Sequence, residues 1–163
     1  MNGFAPGLFD RLMNPHGAAT SGGTLLRLSL EEMKDAVARD LENLLNTRSV
    51  IAASLLKKYP ECSNSIVTYG LNDFAGLSLS STDDQAYICR CLENAIDRHE
   101  PRLRNVRVSL EVREAAINCV NFAIAALLVL NSAQEPVNFD AVLQPSSLHY
   151  TISKARRAPP PGT

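Results

Sequence analysis

The sequence has no tryptophan, only three histidines and no C-x-x-C pair. Its net charge is −1, and this near-neutral balance gives no global pull toward nucleic acid or an anionic membrane. The unbroken apolar run, Phe122–Leu130, is too short for a bilayer, which takes roughly 20 mostly apolar residues. It reads as a buried core element. The opening "MNGFAPGLFDRLMNPHG" lacks a basic start, so no secretion leader is expected. Cys89 and Cys91 lie two apart on a predicted helix, where their side chains diverge and share no metal. With Cys62 and Cys119 they read as reduced, mostly buried thiols of a cytosolic protein.

Catalytic signatures are also missing. "HEPRL" starts like the helical zinc motif H-E-x-x-H, but Leu103 replaces the second histidine and Pro101 breaks the helix. His16, His99 and His149 stand far apart. "GLSLS" lacks the second glycine of a nucleophile elbow, and no glycine-rich phosphate loop occurs. Among 17 acids no carboxylate pair stands out, and Glu31, Glu32, Asp35 and Glu42 read as solvated helix-surface groups. The reading is therefore no catalytic residue, no metal site and no cofactor.

What is present has two periods. After a glycine- and proline-rich stretch over residues 1–28, Ser29-x-x-Glu32 forms a capping-box pattern. Leu30, Met33, Val37, Leu41, Leu44 and Leu45 then recur at helical spacing, predicting a helix over 30–46. "SVIAASLLKKYP" reads as a continuing helix or a short one ending before Pro60. Gly70 and Gly76 bracket a loop that inserts Phe74 into the core. Ser80 or Ser81 opens a second helix with Asp83 and Asp84 in its first turn. Its stripe is Ile88, Cys89, Leu92, Ala95 and Ile96, and His99 sits in the last turn, where a cation is favoured.

Pro101 ends that helix. Val106, Val108, Leu110 and Val112 then alternate with polar residues as a half-buried strand. The segment over 114–130 is ambiguous by propensity. Strand is preferred because Phe122, Ile124, Ala126, Leu128 and Leu130 form one face. Its other face, Ala123, Ala125, Leu127 and Val129, is apolar too, so a central position covered on both sides, or by a partner, is expected. "AQEPVNFDAVLQPSS" reads as a long connection, and Leu148, Tyr150 and Ile152 as a last short strand. The basic, proline-rich end over 154–163 reads as disordered. Helices lead and strands follow, which predicts a two-layer α+β domain over 29–153 with helices on a small antiparallel sheet of about three strands.

The seam "RHEPRLRNV" carries the one distinctive arrangement. Around an extended proline, residues two apart share a side, so Glu100 and Arg102 present a carboxylate and a guanidinium together. Arg98, Arg102, Arg104, Arg107 and Arg113 against Glu100 and Glu111 leave a local excess of three positive charges. Two readings stand side by side: a patch for an acidic protein partner, or an internal clasp that fixes the helix-to-strand turn.

The chain resembles the TssE family of type VI secretion baseplate subunits, part of the phage-tail baseplate wedge family also labelled lysozyme-like. The residues that carry the likeness are "LFDRL" at 8–12, "DLENLLNTR" at 40–48, "YPECSNSIVTYGLNDFAGL" at 59–77, "IDRHEPRLRNVRV" at 96–108 and "EPVNFDAVL" at 135–143. The alanine-rich stretch over 112–134 and the proline-rich tail depart from the pattern. The resemblance implies a non-enzymatic structural subunit, cytoplasmic at an inner-membrane-associated baseplate. It implies assembly with TssF, TssG, TssK and central hub proteins, and initiation of the TssB–TssC contractile sheath. Glu100, Pro101 and Arg102 would hold wedge subunits together, with Arg98, Arg104 and Arg107 beside them. Apart from the resemblance, Leu8, Phe9 and Leu12 read as one amphipathic turn, either a tethered docking peptide or a frayed terminus. The alternative is a peptidoglycan-cleaving hydrolase with Glu100 as acid, which needs a second facing carboxylate.

Overall fold

The computed structural model describes residues 28–51, 53–72, 74, 77–78, 81–111, 119–130 and 133–155. Helix α1 spans Leu30–Asn46. Ser29 caps it: its hydroxyl accepts from the Glu32 amide at 3.3 Å, and Glu32 accepts from the Ser29 amide at 2.7 Å. Met33, Val37, Leu41, Leu44 and Leu45 are buried along one stripe. A fully buried leucine of this kind contributes roughly 1.5–3 kcal/mol against exposure. Next come a short helix α2, Ala53–Lys58, and two 3-10 turns, Pro60–Asn64 and Ile66–Thr68. Helix α3, Thr82–His99, is capped by Ser81. Ile88, Leu92, Ala95 and Ile96 point inward, as the spacing predicts.

Four strands follow: β1 Leu103–Glu111, β2 Val120–Leu130, β3 Ala133–Gln144 and β4 His149–Lys154. They form one antiparallel sheet in the order β1-β2-β3-β4. Helix α1 lies against β4 and α3 against β1, both on one face, so the architecture is two-layer α+β. The core lies between the layers and gathers Leu41, Leu45, Ile96, Leu103, Val106, Ile124, Leu128, Phe139 and Tyr150. Phe74 packs against its margin, half-buried. In β1 the register shifts between Arg104 and Arg107, where Asn105 adopts φ 53°, a left-handed conformation that asparagine tolerates better than most residues.

The strand count departs from the expectation. The stretch read as a connection is β3, paired to β2 from Val120↔Leu143 to Leu130↔Ala133. Pro136 made it look like a loop. The Ala155 N–H donates to Asn138 O at 3.0 Å, so Asn138 turns its backbone polar groups toward β4. Pro136, two residues earlier, turns the same way, but β4 pairs only with Phe139–Gln144. The missing N–H of Pro136 therefore faces away from β2, and that ladder loses nothing.

Segment 120–130 is strand, as preferred from its inward face. It is central in the sheet, as expected, but its second face is not covered within the chain: Ala125 and Val129 are exposed, and Ala123 and Leu127 are half-buried. The thiols of Cys62, Cys89, Cys91 and Cys119 are free and half-buried rather than buried. Among the described residues no helix is long and apolar enough to cross a membrane.

Candidate functional site

The seam between α3 and β1 is built by three residues from three places in the chain. Helix α3 ends because the Glu100 N–H donates to Ile96 O at 2.8 Å and Pro101 follows without a donor. Glu100 is 4% exposed, a buried carboxylate. It accepts from the Arg102 backbone N–H at 3.1 Å and from Arg102 Nε at 2.7 Å, and Arg102 Nη2 bonds its second oxygen. The same Nη2 donates to Asp40 Oδ2 of α1 at 2.6 Å. Burial pushes the Arg102 pKa down, but the hydrogen bonds and charges of Glu100, then of Asp40, outweigh it and hold the guanidinium above its ordinary value.

The clasp reading is thus realised at Glu100 and Arg102, and it gains a member. Asp40 of α1 ties that helix to the seam. It lies 62 residues before Arg102, a separation no local spacing rule bridges; its position beside the buried Val37–Leu41 stripe was the only hint. Pro101, Arg98, Arg104 and Arg107 are exposed around the clasp. The Arg107 guanidinium donates to Val106 O at 3.1 Å. Leu8, Phe9 and Leu12, and Arg113, lie outside the described residues.

His99 differs from the expectation of a favoured cation. Its Nε2 lies 3.0 Å from Thr68 O and 3.3 Å from Thr68 Oγ1, and its ring meets Tyr69 edge-on. Burial lowers its pKa; the Thr68 carbonyl raises it in part, and Arg98 lowers it further.

Helix side chains cap part of each outer strand. On β1, the Val108 N–H donates to Glu93 of α3 at 2.8 Å. On β4, Asn46 of α1 accepts from the Tyr150 N–H and donates to Tyr150 O, both at 2.8 Å, and Glu42 accepts from the Ile152 N–H at 2.8 Å. Glu42, read as a solvated acid, is therefore an edge cap, while Glu31 and Asp35 pair with Lys154.

Comparison with known proteins places this arrangement. The family model described as baseplate wedge protein gp25 matches residues 31–133, from α1 to the start of β3. The chain is also similar to anti-adapter protein IraD of Escherichia coli strains. It is 31% identical to that of strain 536 and 29% identical to that of strain E2348/69, each over 120 residues, 74% of this chain and 83% of the relative. The chain belongs to the baseplate wedge protein gp25 family, the family of TssE, whose fold serves as a structural part of phage-tail-type baseplates and assembles with other baseplate proteins.

Proposed function

We propose that this chain is the TssE-type subunit of a type VI secretion baseplate, acting by binding and not by catalysis. It joins TssF and TssG, near TssK and the hub, and starts the TssB–TssC sheath. The observation that supports this most is the corner at the α3–β1 seam. Glu100, Arg102 and Asp40 lock α1, the end of α3 and the start of β1 together, and Arg98, Arg104 and Arg107 stand exposed around the lock. Rigid placement of directional cations suits an acidic partner surface. Glu100 is held by Arg102, and the nearby carboxylate of Asp40 is held by the same guanidinium, an arrangement unlike the facing acid pair of a glycosidase.

The test uses the exposed arginines, because Arg102→Asp would set a third acid against Glu100 and Asp40 and damage the fold. Arg98→Glu, Arg104→Glu and Arg107→Glu together are expected to abolish co-purification with TssF–TssG while leaving thermal unfolding unchanged. Normal recovery of the complex would remove the corner from the interface. Sheath initiation by strand addition requires an incoming strand to displace Glu93 from β1, or Asn46 and Glu42 from β4.

The likeness to the anti-adapter relatives favours a second reading, in which the same body binds an adapter protein. Retention of an adapter, with no recovery of TssF–TssG by the wild-type chain, would select it.

A further inference from the structure

The segment between α1 and α3 carries apolar side chains on the outside. Val50 is 91% exposed and Ile66 81% exposed, and Leu55, Tyr59 and Val67 are about half exposed or more. From Val50 to Val67 no described residue is buried. Leu55 and Tyr59 are one helical turn apart, and the Tyr59 N–H still donates to Leu55 O at 3.3 Å, so both lie on one side of α2. Between them sit Lys57 and Lys58, both exposed, against the single acid Glu61.

This segment is held in a fixed shape despite its exposure. The Ser49 N–H donates to Leu71 O at 2.8 Å, and the Leu71 N–H to Thr47 O at 2.9 Å. At the far end Thr68 is gripped by His99. Thr68 Oγ1 also bonds Ser63 O at 2.8 Å and Ser65 O at 3.1 Å, which tightens the two 3-10 turns. Ile51, Leu56, Thr68, Leu71, Ala95 and His99 line a half-open pocket of about 170 Å³ beside it. A free segment with this composition would lower its energy by turning Val50 and Ile66 inward. Here the backbone bonds and the His99 latch keep them outward.

We propose that Val50–Val67 is a protein-docking surface whose partner presents an apolar cleft rimmed by carboxylates. The apolar side chains fill the cleft, and Lys57 and Lys58 select the acidic rim. The surface rests on the binding role proposed above and adds a contact separate from the arginine corner. Large, exposed, preorganised aromatic and aliphatic groups are the type of anchor that dominates an interface.

The test places a photo-crosslinking phenylalanine analogue at Val50 or Ile66 of the full chain, and a third probe at Arg104, in the cells that produce it. Crosslinked peptides are identified by mass spectrometry. Capture of a site with apolar residues flanked by Asp or Glu supports the surface, as does an approximately tenfold drop in capture with Lys57→Glu and Lys58→Glu. Capture of a second copy of this chain, of a site without acids, or of nothing overturns it. The two readings fail separately. If Arg104 captures wedge subunits and Val50 and Ile66 capture nothing, the docking surface falls and the baseplate role stands. If Val50 and Ile66 capture an acid-rimmed cleft on a protein outside the baseplate, the surface stands and the baseplate role falls.

Discussion

Replacing Arg102 by alanine removes the centre of the seam. Glu100 would keep one hydrogen bond, from the backbone N–H of residue 102, and lose both side-chain bonds. Asp40 would lose its 2.6 Å partner. Leaving a buried carboxylate without its cation costs roughly 3–5 kcal/mol. The Arg102 side chain is 25% exposed, so water enters the vacated space and the expected cost is about 3 kcal/mol. In urea, with a slope of about 2 kcal/mol per molar, the unfolding midpoint falls by roughly 1.5 M. Arg102→Lys keeps the charge but has no fork to span Glu100 and Asp40, so it recovers only part of the loss. Glu100→Gln with Arg102→Met is expected to be less damaging than the sum of its parts, by about 2 kcal/mol in a double-mutant cycle. A change below about 0.5 kcal/mol for Arg102→Ala, at an unchanged slope, would show that the clasp holds nothing together.

Three other outcomes follow from the packing. The Tyr150 hydroxyl is buried with no hydrogen-bond partner among the described residues, and burial pushes its pKa up to about 12; Tyr150→Phe should stabilise the chain by about 1 kcal/mol in urea, and a clear loss would mean that the hydroxyl has a partner. His99 has a folded pKa below its ordinary 6.5, so its contribution is present above about pH 6.5 and lost as the pH falls through the folded value. A scan of melting temperature from about pH 7.5 to about pH 5 should therefore fall less steeply for His99→Gln than for wild type, and parallel curves would contradict the latch; the scan runs from about one unit above the ordinary value to about one and a half below it. Gly70 has φ +112°, and a Cβ there would sit 2.5 Å from Thr47 O. Gly70→Ala should cost at least about 2 kcal/mol by thermal unfolding, and a neutral result would show that the Thr47–Leu71 pairing yields easily.

Local rules reach far in this chain. The Ser29 box, the Ser81 cap and the stop before Pro101 are all written within four residues of the helix ends they set, so the bounds of α1 and α3 were readable. The Glu100–Arg102 contact was readable too, because an extended proline leaves one way for its neighbours to point. Strand β3 was hidden because Pro136 breaks most strands, and its harmless orientation depends on where β4 stops. Glu42 looked like an ordinary surface acid for a similar reason, and Asp40 carried no local mark of its role. Their partners, Arg102 and Ile152, arrive only when the sheet folds back under α1. The outer strands are capped in part because helix side chains, invisible to a strand-by-strand reading, reach Val108, Tyr150 and Ile152.

Pro136 also bears on how the described sheet could extend. Along Phe139–Val142 the described sheet is four strands wide; along Glu135–Asn138 it is three. A strand growing past Ala155 would meet, two positions on, a residue with a carbonyl to offer and no amide. The proline thus makes continued pairing unfavourable at that position.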